Sequence, residues 1–308
     1  MTGEPPVWER HGPAEAVYAK FRGAPTLRDQ WVRMVRESWG HPAHPELALF
    51  PDVTQEKRAV QTADGAPIPV TVFRPPRASD DAFLYLHGGG WMAPLSGKHL
   101  AWAKRIASLT GQAVHCVDYS LAPEQPFPRG FEDCLACYAA LRGETSGQVA
   151  VGGDSSGGNL ALAVALQCAD RRRRGPDKVL ALSPATDMHF EAYASFERLG
   201  RGNPLADASV LVFQRSCYLP SRADWESPYA SPMLGRLSGL PPVFVLAGGQ
   251  DPLHEENLAF ASKCREARVA TTLHFRADMP HAFHTHHDVL TAEADAANAA
   301  ITAFLQAS

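Results

Sequence analysis

The order of apolar runs along this chain constrains its fold more than any other feature. From residue 82 onward, short apolar runs with the length of buried strands alternate with longer helical patterns. The apolar runs lie at 82–86, 113–117, 148–151, 179–182, 243–246 and 271–275, and the helical patterns at 98–109, 129–142, 155–169, 254–267 and 288–305. Before them, residues 57–73 predict a hairpin with its turn at 63–65. This alternation predicts an α/β fold with a mostly parallel central sheet and helices on both faces.

Two parts of the chain depart from the alternation. The first 50 residues carry helical patterns at 14–21 and 27–39, and the stretch 184–227 is rich in aromatics and predicts one helix at 207–218. We interpret these parts as two pieces of a helical cap. The predicted division is an N-terminal part of the cap at 1–50, a first part of the core at 51–187, a cap insertion at 188–226 and a second part of the core at 227–308.

Composition and charge exclude several classes of protein. Hydrophobic residues make up 45% and charged residues 20% of the 308 residues, as in ordinary globular proteins. A net charge of -4 indicates no nucleic-acid or anionic-membrane partner. No apolar run of about 18 residues predicts a membrane span, and residues 1–10 lack the apolar core of a secretory signal. We therefore expect a cytoplasmic protein, with Cys134 and Cys137 as buried thiols.

The segment Gly153-Asp154-Ser155-Ser156-Gly157 directly follows a predicted buried strand. Small neighbours on both sides let a serine occupy a sharp turn from strand to helix, which lifts the hydroxyl clear of the sheet. A serine hydroxyl is a poor nucleophile unless a neighbouring base activates it. Ser155 is therefore a candidate nucleophile whose partners must be found elsewhere in the chain.

Three glycines, Gly88 to Gly90, follow the predicted strand 82–86. When a hydroxyl attacks a carbonyl, the oxygen gains negative charge, and backbone N–H groups already in place can stabilise that charge. Glycine allows the backbone to approach closely. We assign the N–H groups of Gly88, Gly89 and Ser156 to such an oxyanion hole; the alternative is a plain glycine-rich turn.

Asp251 and His281 also follow predicted strands, and functional groups of open α/β sheets gather at such strand ends. Asp251 can orient an imidazole as a base, or it can cap the helix that follows it. His281 is the candidate base, but His284, His286 and His287 lie within six residues of it. We expect most of these histidines to lie on the surface. Because no carboxylate or cysteine stands at ligand spacing, we predict no metal site.

At this point the sequence resembles the hormone-sensitive-lipase family, a branch of the α/β-hydrolases that contains many bacterial carboxylesterases. The resemblance covers about residues 80–285 and rests on five motifs. These are His87-Gly88-Gly89-Gly90-Trp91, Asp118-Tyr119-Ser120-Leu121-Ala122-Pro123-Glu124, Gly153-Asp154-Ser155-Ser156-Gly157-Gly158-Asn159, Asp251-Pro252-Leu253 and His281-Ala282-Phe283. The resemblance implies an α/β-hydrolase fold with a helical cap and no cofactor.

The resemblance also implies roles for individual residues. It selects His281 over His284 as the base, because the family's catalytic histidine is followed two residues later by phenylalanine. Four residues are implied as structural supports: His87, Asp118, Tyr119 and Glu124. Three aromatics are expected to contact substrate: Trp91, Phe213 and Tyr218.

The leading hypothesis is a serine carboxylesterase that hydrolyses short- to medium-chain acyl esters through an acyl-enzyme intermediate. Ser155, His281 and Asp251 would form its catalytic triad. The same triad also supports amide hydrolysis, acyl transfer or elimination on a small natural product, and these alternatives stay open. A non-catalytic ligand-binding receptor of the same fold is a more remote alternative. The strand 271–275 is expected at a sheet edge, where a second copy of the chain can pair to form a homodimer.

Overall fold

The fold is built around one central sheet. The computed structural model describes residues 25–62 and 67–307. Its strands are β1 (Thr54–Gln61), β2 (Pro67–Arg74), β3 (Ala82–Leu86), β4 (Ala113–Val117), β5 (Val149–Asp154), β6 (Lys178–Leu182), β7 (Val243–Gly248) and β8 (Thr271–Arg276). The eight strands stand in the order β1-β2-β4-β3-β5-β6-β7-β8. The strands β3 to β8 are mutually parallel, and the hairpin β1–β2 joins this block in antiparallel fashion at β4.

Helices cover both faces of this sheet. The α-helices of the described residues are α1 (Pro25–Trp39), α2 (Gly97–Thr110), α3 (Arg129–Glu144), α4 (Ser156–Asp170), α5 (Ala194–Gly200), α6 (Ala208–Tyr218), α7 (His254–Glu266) and α8 (Thr291–Gln306). Trp102 of α2 and Ile301 of α8 belong to the core on one face. Phe131 of α3, Leu162 of α4 and Phe260 of α7 belong to the core on the other. Every residue of the parallel strands β3 to β7 is therefore buried, which explains why their sequences read as apolar runs, whereas the edge strand β8 is only partly buried.

The predicted alternation of strands and helices is confirmed. The apolar runs at 82–86 and 113–117 coincide with β3 and β4, and the other four predicted strands match β5 to β8 with small shifts at their ends. Residues 57–73 form the predicted hairpin, with Gln61 paired to Pro67, while its predicted turn at 63–65 lies outside the described residues. The strand β8 stands at the edge of the sheet, as expected.

The stretch 184–227 was predicted to hold one helix, and that prediction is wrong. It contains the short helix α5 in addition to α6. The helix α5 has only seven residues, too few for a clear apolar periodicity. Its Ser195 is fixed by distant residues, since its N–H donates to Glu255 Oε2 at 3.0 Å and its hydroxyl to the carbonyl of Pro252 at 2.7 Å.

The helix α1 joins the parts that were predicted as cap and core. Its Trp31 packs against Phe213 of α6, with ring centroids 5.5 Å apart. Its Arg36 forms an ion pair with Glu124, at 2.7 Å between Nη2 and Oε2. The predicted helix at 14–21 lies outside the described residues, and the division into cap and core segments stays a prediction. The expected burial of Cys134 and Cys137 as free thiols is confirmed.

Candidate active site

Ser155 occupies a strained turn between β5 and α4. Its backbone angles are φ 54° and ψ -120°, a conformation that a non-glycine residue adopts only when its surroundings enforce it. The flanking glycines are required by space, because a Cβ on Gly153 would lie 2.0 Å from the carbonyl oxygen of Leu86 and one on Gly157 would lie 1.9 Å from it. The turn is held by the Ser155 N–H, which donates to the carbonyl of Leu182 at 2.8 Å. The predicted nucleophile therefore lies where the small residues of its motif place it.

Asp251 and His281 form a buried pair at the ends of β7 and β8. The Nδ1–H of His281 donates to Asp251 Oδ2 at 2.7 Å, and the N–H of Leu253 donates to the other carboxylate oxygen at 2.9 Å. Asp251 thus both orients the histidine and fixes the turn before α7. With Nδ1 bonded to Asp251, Nε2 of His281 is left as the proton acceptor of the ring.

The pKa of His281 lies above its ordinary value. Burial alone lowers this pKa, but the charge of Asp251 and its hydrogen bond to the ring raise it by more. The arrangement therefore stabilises the protonated imidazole that forms when the histidine accepts a proton.

Both Ser155 and the His281 loop are attached to the end of β6. The N–H of Ser155 donates to Leu182, the last residue of β6, and the N–H of Ala282 donates to Oγ of the next residue, Ser183, at 3.1 Å. Two adjacent residues thus hold the nucleophile turn and the histidine loop. Within the described residues, Ser155 Oγ makes no hydrogen bond, so the contact between Ser155 and His281 stays a prediction.

The glycine loop after β3 lies beside the Ser155 turn. The N–H of Gly88 donates to Oδ1 of Asp154 at 3.2 Å. Gly89 has φ +115°, which favours glycine, and a Cβ there would lie 2.8 Å from that of Ala93. Across residues 25–62 and 67–307, neither the Gly89 N–H nor the Ser156 N–H donates a hydrogen bond. Of the three predicted oxyanion donors, two are therefore unengaged and Gly88 is held by Asp154.

The predicted supports surround this loop in different ways. The rings of His87 and Tyr119 stack at 4.3 Å, and the Tyr119 hydroxyl donates to the His87 carbonyl at 2.7 Å. Burial lowers the pKa of His87 to about 3, which keeps the ring neutral. The backbone N–H of Asp118 donates to Pro69 at 3.0 Å, so it links β4 to β2, and Glu124 binds α1 through Arg36.

The expectation that the neighbouring histidines lie on the surface is wrong. His284 is fully buried against Trp102, with ring centroids 5.2 Å apart and T-shaped geometry, and burial lowers its pKa to about 3. His287 is also buried, and its Nε2 lies 2.8 Å from the amide nitrogen of Asn298. His286 is half-buried, 3.0 Å from Lys98 Nζ. These rings pack against α2 and α8, contacts between distant segments that a local polar pattern does not reveal.

The three aromatics predicted to contact substrate are all buried. Trp91 and Tyr218 stack face to face, with centroids 4.6 Å apart and planes 2° apart, and Phe213 packs on Trp31 of α1. These contacts join α6 to α1 and to the glycine loop. Their contact with substrate stays a prediction.

Asp154 is a site residue that the sequence analysis did not single out. Its carboxylate accepts hydrogen bonds from Gly88 and from the Tyr85 hydroxyl, and lies 3.7 Å from His99 Nε2. Burial raises its pKa, but the interaction with His99 outweighs this effect, so the pKa lies below its usual range. The signal in the sequence was a carboxylate placed directly at the end of a buried strand, where it must have partners.

Both the sequence and the fold are similar to those of known proteins. The sequence matches the α/β-hydrolase fold family over residues 83–285, a range that includes Ser155, Asp251 and His281. The chain belongs to this family. This α/β-hydrolase is 32% identical over 272 residues to a carboxylesterase of Mycobacterium tuberculosis, with 84% of each chain covered.

Solved structures place this α/β-hydrolase within one branch of the family. It is similar to an esterase of Pyrobaculum calidifontis, with a TM-score of 0.79, 27% identity and 92% of each chain covered. It is also similar to an esterase from the bacterial hormone-sensitive lipase family, with a TM-score of 0.77, 30% identity, and 92% of this chain and 98% of the other covered. The predicted membership of the hormone-sensitive-lipase branch is confirmed.

Among the helices that the structure describes, none has both the length and the apolar character to cross a bilayer. In the same residues, no three histidine, cysteine or carboxylate side chains are grouped as a metal site.

Proposed function

We propose that this protein is a serine carboxylesterase that hydrolyses short- to medium-chain acyl esters through an acyl-enzyme intermediate. The broader statement, a carboxylic ester hydrolase of the α/β-hydrolase superfamily, follows from the family and from relatives named as esterases. The observation that supports the finer proposal best is the 2.7 Å bond between His281 and Asp251, in a loop tied to the same strand end as Ser155.

In the proposed mechanism, Ser155 attacks the ester carbonyl while Nε2 of His281 accepts its proton. Asp251 keeps the imidazole in the tautomer that this transfer requires and stabilises the imidazolium. The protonated His281 then donates its proton to the departing alcohol, which leaves an acyl group on Ser155. Water activated by the same histidine attacks this ester, releases the acid and restores the Ser155 hydroxyl.

The proposed oxyanion hole uses the N–H groups of Gly89 and Ser156, which have no other partner among the described residues. Each lost donor typically costs about 3–4 kcal/mol of transition-state stabilisation. The N–H of Gly88 can act as a third donor if it shares or gives up its 3.2 Å bond to Asp154. Trp91, Phe213 and Tyr218 are proposed to contact the acyl or alcohol group.

The proposal is tested with p-nitrophenyl esters from acetate to octanoate. We expect wild-type turnover to be highest in the short to medium chains and Ser155→Ala to lower kcat by at least about 10⁴-fold. The matched control is Ser262→Ala, an exposed serine on α7 that should leave kcat unchanged. Undiminished turnover by Ser155→Ala would rule out the mechanism.

The choice of base has its own test. His281→Ala should lose activity to a similar extent, while His284→Ala should keep most of it, since Asp251 bonds His281. The opposite order would assign the role to His284.

Two further proposals concern the oligomeric state and the cellular location of the protein. Pairing at the edge strand β8 would give a homodimer, which light scattering on the purified chain would detect as a doubled mass. A cytoplasmic location is also proposed, and fractionation of cells expressing the untagged chain tests it.

A further inference from the structure

The side of α6 that faces the glycine loop carries polar atoms with no partner. The amide of Gln214 is buried, with the side chain 1% exposed, yet neither Oε1 nor Nε2 has a hydrogen-bond partner within the described residues. The hydroxyl of Tyr218, one helical turn further on, and the indole Nε1 of Trp91 are also buried and unpartnered there. Buried polar groups are nearly always hydrogen-bonded, so several orphans in one place need an explanation.

These atoms lie directly on the loop of the proposed oxyanion hole. A Cβ built on Gly90 would lie 2.0 Å from Gln214 Cδ and 2.2 Å from Oε1, so the amide rests on the backbone next to Gly89. Tyr218, at position i+4 from Gln214, stacks on Trp91 in the same loop. Two residues on one face of a cap helix thus contact two successive residues of the loop that would hold the reacting carbonyl oxygen.

Only glycine permits this contact. Gly90 has φ +62°, and any side chain there would overlap the Gln214 amide. The close approach therefore brings a neutral donor and acceptor pair from the cap to the loop itself. Purely apolar acyl chains offer nothing that could bond these groups.

We propose that Gln214 and Tyr218 form a hydrogen-bonding subsite for a neutral hydroxyl or carboxamide group on the substrate. The proposal rests on the proposed esterase function and specifies its substrate class: esters whose acyl or alcohol part carries such a group near the ester bond. A carboxamide or hydroxyl can donate to Gln214 Oε1 and accept from its Nε2 or from the Tyr218 hydroxyl. A site built to bond such a group discriminates against analogues that lack it, because its own polar atoms are then left unpaired.

The test compares matched ester pairs with and without the polar group. On the acyl side the pair is p-nitrophenyl 3-hydroxybutyrate and p-nitrophenyl butyrate, and on the alcohol side 2-hydroxyethyl butyrate and propyl butyrate. We expect the wild type to prefer the hydroxylated member of at least one pair by about tenfold or more in kcat/KM. In Gln214→Met, which keeps the length of the side chain, and in Tyr218→Phe, which keeps the stack on Trp91, the ratio should fall to within about twofold of one.

The readout is the ratio of the two kcat/KM values within a pair, so an overall loss of activity in one variant does not decide the result. If Gln214→Met fails to fold, Tyr218→Phe still tests the subsite. The matched control is Gln167→Met near the far end of α4, whose Oε1 is also buried and unpartnered and whose ratio should equal that of the wild type. Equal rates for both members of both pairs, or a preference that survives both substitutions, would overturn the subsite and leave water as its occupant. If the wild type hydrolyses no ester, the esterase proposal itself fails, a result distinct from either outcome.

Discussion

Replacement of Asp251 by asparagine tests how the buried carboxylate controls the base. In the wild type, one carboxylate oxygen accepts from the N–H of Leu253 at 2.9 Å and the other accepts from Nδ1–H of His281 at 2.7 Å. The Leu253 N–H requires an acceptor, so the asparagine oxygen should take that position. The amide NH₂ then faces His281, whose Nδ1 must become an acceptor.

The consequence is a change of tautomer. With Nδ1 as the acceptor, the proton moves to Nε2, which can no longer take a proton from Ser155. In a triad of this kind such a change lowers kcat by about 10⁴-fold, equivalent to about 5.5 kcal/mol in the activation barrier. If the amide is instead reversed, its oxygen accepts from His281 and the productive tautomer is kept, but its NH₂ then meets the Leu253 N–H and the variant loses that buried hydrogen bond.

The assay is kcat and kcat/KM for p-nitrophenyl butyrate across pH, with circular dichroism to verify folding. Because the charge of Asp251 helps to raise the pKa of His281, the residual activity of Asp251→Asn should have its acid limb at lower pH than in the wild type. The matched control is Asp278→Asn, an exposed carboxylate in the same loop, which should change kcat by less than about twofold. Folded Asp251→Asn with kcat within tenfold of wild type and an unshifted acid limb would refute the reasoning.

The remaining predictions concern stability. Gly153→Ala places a Cβ 2.0 Å from the backbone oxygen of Leu86 and should lower the free energy of unfolding by about 3 kcal/mol. Gly143→Ala on α3, where a Cβ would have nothing within 4 Å, should raise it by about 0.5–1 kcal/mol. Urea unfolding measures both variants, and equal effects would contradict the steric argument. Ile301 is fully buried, so Ile301→Val should lower the free energy of unfolding by about 0.5–1.5 kcal/mol and Ile301→Ala by about 2–5 kcal/mol. A loss below about 0.5 kcal/mol for the alanine variant would show that the site is loosely packed. Burial holds the pKa of His284 at about 3, below its ordinary value of 6.5, so its contribution to stability is complete above pH 6.5 and is lost as pH falls from there towards 3. The melting temperature of His284→Leu should therefore fall less between pH 7.5 and pH 5 than that of the wild type, and an equal fall would contradict burial of a neutral ring.

The sequence predicted the parts of the molecule that depend on local rules. Buried parallel strands must be apolar on both faces, so β3 and β4 could be read from their residues alone. The turn at Ser155 was predictable because only glycine fits at 153 and 157 against the Leu86 carbonyl.

Other parts depend on contacts between distant segments, and the sequence analysis did not find them. The helix α5 is short and is fixed through Ser195 by contacts to the β7–α7 region. His284 lies in a polar segment and is buried where Trp102 from α2 packs against it. The position of Gln214 on Gly90 likewise arises from the packing of α6 on the glycine loop, which no local pattern encodes.

The central claim is that Ser155 is the nucleophile, and covalent labelling by a fluorophosphonate ester probe tests it most directly. Peptide mass spectrometry locates the labelled residue, and esterase activity is measured on the same samples. The account predicts one adduct per chain, on the peptide that contains Ser155, with activity falling in proportion to labelling and no label on Ser155→Ala. A fully active protein with no adduct, or an adduct on a different serine that accompanies the loss of activity, would contradict it.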